Sequence, residues 1–209
     1  MTDDIRDDLA YVKALAEEGR DTPLVNGVIY VIWGLLIGLV SLLSYAANVG
    51  WLALGVFNSI WPWVVVFALG WALSMYFGGR SGVKPGASTL GNRTANAVWL
   101  GVGIFITGFW ITLMFVHDNF TTIGVPAYFL YGLMFPISFG LYGVAFFATA
   151  TAARIAWLRW VAVLAWIFAA LSLVLMGSAQ YLLVGGIGTL LCAALPGVIL
   201  MRNEPSEIV

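Results

Sequence analysis

Long apolar runs and short polar breaks alternate along this chain, and six of the runs hold no Asp, Glu, Lys, Arg or His. A helix needs about 20 such residues to cross a bilayer. The pattern predicts an all-α integral membrane protein, a six-transmembrane-helix bundle with helices at about 24–47, 58–77, 95–116, 123–150, 154–176 and 178–201. Prolines set several starts: Pro23 follows Asp21 and Thr22, a cap and first-turn proline in the expected order, and Pro62 and Pro126 open the second and fourth helices. Gly78 and Gly79 close the second. The organisation expected is an acidic amphipathic cytoplasmic helix over 1–22, a transmembrane domain over 23–202 and a cytoplasmic tail over 203–209.

The basic residues orient the bundle. Arg6, Lys13 and Arg20 precede the first helix, and Arg80, Lys84 and Arg93 follow the second. Arg154 and Arg159 lie at the turn into the fifth, and Arg202 in the tail. The connections near Asn48–Phe57, His117–Thr122 and Gly177–Ser178 hold no Lys or Arg. By the positive-inside rule both termini are cytoplasmic. Odd helices then run outward and even ones return, as three helical hairpins would. Trp51, Trp61 and Trp63 fall at the outer boundary and Trp99, Trp157 and Trp160 at the inner one, the headgroup level that indoles prefer.

Small residues predict how helices meet. Gly34 and Gly38 form a GxxxG, Gly70, Ser74 and Gly78 recur every fourth residue, and Gly185, Thr189, Ala193 and Gly197 do so along the last helix. Lipid supplies no hydrophobic push between helices, so close backbone approach along such ridges drives packing, inside the bundle or across a homodimer face.

Composition narrows the chemistry. The chain of 209 residues is 62% hydrophobic and 9% charged, against about 25% charged in soluble domains. A net charge of −1 without a basic, aromatic-interleaved stripe argues against nucleic acid as a partner. Seven Arg to two Lys, with abundant Ala, Gly and Trp, point to a GC-rich bacterium and so to an inner membrane. The single cysteine, Cys192, can form no intrachain disulfide. Apolar helices without ionisable groups leave no place for ion coupling, a bis-histidine haem, a retinal Schiff base or an intramembrane hydrolase, so no cofactor, metal site or enzymatic activity is expected. In helix count, length and orientation the chain is similar to small six-helix bacterial membrane proteins of the HdeD acid-resistance type. No motif carries that likeness, and no residue role comes with it.

Four features remain as candidates for function. Ile5, Leu9, Val12 and Ala16 share one face of the predicted N-terminal helix, whose other faces are acidic. An anionic leaflet repels such a helix, so it suits a protein partner. Pro136, flanked by Gly132 and Gly140, interrupts the fourth helix and marks a hinge or gate, or a kink that neighbours re-satisfy. Trp33, Trp71, Trp110 and Trp166 fall mid-helix and form a possible apolar-ligand cavity, with Ser74, Thr107, Ser138 or Ser172 as acceptors for their indole N–H groups. His117 beside Asp118 reads as an exposed turn. The expectation is therefore a non-enzymatic inner-membrane accessory, scaffold or sensing subunit, in contact with the lipid bilayer and with a protein partner or a second copy. Two alternatives stay open: an uncoupled channel or carrier for a small neutral or lipophilic solute, and a membrane protein that binds a hydrophobic ligand or pigment.

Overall fold

The computed structural model describes residues 24, 26–81, 84 and 86–204. The N-terminal helix face of Ile5, Leu9, Val12 and Ala16 lies outside the described residues, as do Pro23 and the end of the tail. The elements are α1 (Gly27–Asn48), a 3-10 turn (Gly55–Asn58), α2 (Trp61–Ser81), α3 (Leu90–Thr122), α4 (Ala127–Gly132), α5 (Met134–Ala152), α6 (Leu158–Val174), α7 (Gln180–Thr189), a π-helical turn (Leu190–Ala194) and α8 (Leu195–Arg202). No strand occurs among the described residues. Five helical segments are long and apolar enough to cross a membrane: Gly27–Asn48, Trp61–Arg80, Leu90–Thr122, Ala127–Ala152 and Gln180–Arg202. These are the marks of a multi-pass membrane protein. Leu158–Val174 is apolar but shorter.

Several boundaries differ from the sequence expectation, each for a local reason. The first helix starts at Gly27, after Asn26 in a left-handed conformation (φ 89°) that Asn tolerates better than most residues. Gly78 and Gly79 do not end α2, which runs on to Ser81. In α3, Thr89 caps the N-terminus by accepting from the Asn92 amide at 3.5 Å. The helix then runs on through His117 and Asp118 to Thr122, so that stretch is not a turn. At 33 residues α3 is about 50 Å long, well beyond a hydrocarbon core of about 30 Å. Polar residues continue a helix wherever its ends leave the membrane, which apolar-run counting does not register.

The fourth and last predicted helices are both interrupted. Leu133 separates α4 from α5 three residues before Pro136, whose missing N–H leaves the Gly132 carbonyl without a helical donor. The last helix widens into the π turn just before Pro196, which sits in the first turn of α8.

The helices follow one another around a ring. α1 packs on α2, α3 on α4 and α5, α5 on α6, α6 on α7, and α7, the π turn and α8 return to α1. Glycines permit this closure. A Cβ on Gly34 would lie 2.3 Å from the Ala194 amide nitrogen, and one on Gly197 would lie 2.8 Å from the Gly27 carbonyl oxygen. Leu190 lies against Gly38, and Gly186 approaches its carbonyl. The ring exterior is apolar: Leu35, Leu39 and Leu43 on α1, Ile104 and Phe105 on α3, and Ile167 and Leu171 on α6 are all exposed. A surface this apolar is what a hydrocarbon environment requires.

At the end where α1 begins, three parts of the chain join. Glu204, past the end of α8, accepts from the Gly27 amide at 2.7 Å and pairs with Lys84 from the α2–α3 connection. A carboxylate at a helix N-terminus satisfies an orphan donor and the helix dipole together. Asn26 donates to Asn96 at 2.7 Å, tying the start of α1 to α3. Below these contacts Tyr30, Ala95, Phe146, Ala150, Leu158 and Leu200 are packed into one buried cluster.

Candidate binding cavity

α2 and α3 are consecutive in the chain, yet their backbones stay apart, and side chains bridge the gap. Phe67 and Trp110 stack face to face, with centroids 4.8 Å apart and planes within 1°. Trp71 donates its indole N–H to Thr107 at 3.0 Å. Behind this seam the centre of the ring is hollow. A cavity of about 810 Å³ reaches from Asn26 and Asn96 at one end of the bundle to Asn48 and Tyr128 at the other. α1 is 22 residues long, about 33 Å. A cavity that runs the length of α1 suits an elongated occupant.

Aromatic faces dominate the lining: Trp33, Phe67, Trp71, Trp99, Trp110 and Phe139 all border the space. None of the described Asp, Glu, Lys, Arg or His side chains does. The tryptophans are fixed by hydroxyls on neighbouring helices. Trp33 donates to Ser74 at 2.9 Å, joining α1 to α2, and Trp99 donates to Thr149 at 3.2 Å, joining α3 to α5. With Trp71 and Thr107, these bonds hold three indoles edge-on at chosen angles, since a buried N–H without an acceptor is costly. Trp33 also meets Phe67 and Trp71 edge to face, at 5.7 and 6.2 Å.

The structure brings together three of the four mid-helix tryptophans. Trp33, Trp71 and Trp110 share the cavity; Trp166 does not. It is half-exposed on the outside of the ring, donating to the Gly140 carbonyl at 3.3 Å, with its ring laid on Gly143 where no side chain fits. Of the four candidate acceptors, Ser74 and Thr107 hold indoles, Ser138 lines the cavity, and Ser172 bonds back to Ala169 of its own helix at 3.0 Å. Trp99, expected only at the inner boundary, is part of the wall.

At the Pro136 break the side chain of Tyr181 enters from α7. Its hydroxyl accepts from the Phe135 amide at 3.2 Å and donates to the Tyr131 carbonyl at 3.4 Å. These two groups would bond each other in an unbroken helix, so the hydroxyl is inserted into the ladder. Gly132 lies under Met176, where a Cβ would come within 2.7 Å of that side chain. Gly140 keeps open space at its α-carbon. The break is thus tied to a neighbouring helix, and Tyr131, Gly132, Phe135 and Tyr181 all border the cavity. The role of Tyr181 was not anticipated: nothing in a lone tyrosine near a helix start announces a partner 46 residues away.

The small-residue ridge of the last helix divides its work. Gly197, with Gly186 and Ala194, meets α1 at Gly27, Gly34 and Gly38, while Gly185 receives the Phe135 ring. Thr189 bonds the Gly185 carbonyl at 2.7 Å, and Thr189 and Ala193 face the cavity. Cys192 is buried and free. His117 stacks on Tyr131 at 5.6 Å, near the end of the bundle away from the start of α1. No group of three or more His, Cys, Asp and Glu side chains is placed to hold a metal among the described residues.

Comparison of the chain with protein-family profiles, with curated proteins and with solved structures gives no match.

Proposed function

We propose that this protein holds an elongated, neutral, apolar molecule inside its membrane-embedded ring of helices. The observation that carries this reading is the bore of about 810 Å³, walled by aromatic rings and, among the described residues, free of charged side chains. Its volume falls in the range of small-molecule sites, about 300–1,000 Å³. A charged ligand would be left unpaired there, and an ion would find no counter-charge. The role is binding or carriage: among the described residues the wall holds no Asp, Glu, Lys, Arg or His for acid–base work. Crossing the bilayer six times, with Leu158–Val174 as the fifth span and both termini in the cytoplasm, belongs to the same proposal, as does residence in a bacterial inner membrane. It is supported by the basic residues at one end of the ring.

Photocrosslinking tests the binding. Purified protein in nanodiscs is labelled with a diazirine-bearing hexadecanol and the adducts are mapped by mass spectrometry. Adducts on Trp33, Trp71, Trp110 or Ser138 that disappear under excess hexadecanol are expected. Adducts confined to outward residues such as Leu69 and Phe105, unaffected by competitor, would refute it. The topology is tested in a Cys192→Ala background: Leu54→Cys should react with an impermeant maleimide from the periplasmic side and Asn203→Cys should not.

A further inference from the structure

The three cavity indoles that hydroxyls hold leave two, Trp63 and Trp110, without a partner among the described residues, and Trp110 is the more buried. Trp110 is only 8% exposed and lines the cavity, yet its Nε1 makes no hydrogen bond among the described residues. Nor is that atom sealed in: the buried unpaired polar atoms are Asn26 Oδ1, Ser41 Oγ, Ser44 Oγ and His117 Nδ1, and Trp110 Nε1 is not one of them. It therefore keeps some open space beside it, on a ring that borders the cavity. An indole N–H is a donor only. Ser138 and Tyr142, on α5, also border the cavity with hydroxyls that make no hydrogen bond among the described residues. Both can donate as well.

A trapped water needs two to four polar partners to be held in an apolar space. A ligand oxygen meets the requirement with one bond. The walls around the indole are aromatic faces, against which a flat ring stacks more favourably than a bulky one. Resting on the cavity reading above, we infer that the occupant carries a flat neutral head with a carbonyl oxygen, of the quinone type, on an apolar tail. The oxygen accepts from Trp110 Nε1 and the tail runs along the bore. A simple hydrocarbon or a donor-only head leaves that N–H unpaired.

The test uses the full chain in nanodiscs free of quinone, with decylubiquinone labelled at its carbonyl carbons as the probe. The infrared carbonyl stretch should fall below its value in protein-free nanodiscs. Trp110→Phe keeps a ring against Phe67 but removes the N–H. It should restore the lipid-like band and weaken binding about five- to tenfold, the worth of one hydrogen bond. Trp160→Phe, at an indole 77% exposed on the outside, should change neither. A wild-type carbonyl band at the lipid position, or a Trp110→Phe protein with unaltered band and affinity, overturns the inference. If decylubiquinone fails to compete with the hexadecanol photoprobe while hexadecanol itself does, the carbonyl assignment falls and the cavity reading stands. If neither competes, both fall.

Discussion

Replacing Tyr181 with Phe removes one oxygen from the wall of the bore. The hydroxyl closes the gap between α4 and α5 with bonds of 3.2 Å from the Phe135 amide and 3.4 Å to the Tyr131 carbonyl. Both are longer than the usual optimum, so each is worth about 0.5–1 kcal/mol net. Phe135 is buried, only 5% exposed, and its orphaned amide adds an unpaired-donor cost of about 1 kcal/mol or more. The expected loss is about 2–3 kcal/mol, or about 30- to 150-fold in the folding equilibrium. Reversible unfolding in mixed dodecylmaltoside–SDS micelles, followed by tryptophan fluorescence, measures it, with exposed Tyr128→Phe as the control. The decisive comparison adds Pro136→Ala. Alanine restores a donor for the Gly132 carbonyl and lets α4 and α5 join, so that Phe135 can bond Tyr131 directly. Tyr181→Phe should therefore cost at least 1 kcal/mol less in the Pro136→Ala background. Equal costs in both backgrounds would show that the hydroxyl does not substitute for the missing helical bonds.

Other contacts give further expectations. Gly34→Leu should separate α1 from the π turn and abolish a monodisperse peak in size-exclusion chromatography, because even a Cβ meets the Ala194 amide at 2.3 Å; a normal peak would contradict the packing. Trp71→Phe and Thr107→Val should each cost about 0.6–1 kcal/mol in the same unfolding assay, and the double variant little more than either, since they share one bond across the α2–α3 seam. Glu204→Ala should destabilise by about 1–3 kcal/mol, and Glu204→Gln by less, because an amide oxygen still accepts from Gly27 while the Lys84 ion pair is lost. Equal losses for the two variants would assign the whole effect to the charge.

Much of the helical architecture was legible in the sequence. Apolar runs without charges have no alternative in lipid but to close their own hydrogen bonds as helices, and that logic locates the long spans. It places ends poorly, since α3 continues through polar residues at both ends, where the backbone needs no apolar neighbour to remain helical. Residue type also suggested acceptors for indoles, and Trp33 with Ser74 and Trp71 with Thr107 are the pairs that form. Trp166 shows the limit: mid-helix depth says how far along the membrane normal a residue lies, while the direction it faces depends on how its helix is rotated in the ring.

The sequence by itself thus determined that this protein is helical, with several apolar segments long enough to cross a membrane, because that follows from composition along one dimension. Only the tertiary structure decided that the ring closes from α8 back onto α1 and that Tyr181 mends the break at Pro136. It alone decided that the tryptophans of α1, α2 and α3 enclose a bore instead of filling a core. A tryptophan that walls a space and one that fills it have the same neighbours in sequence. What separates them is whether the helices behind are held apart, and here α2 and α3 meet through their aromatic side chains and not along their backbones.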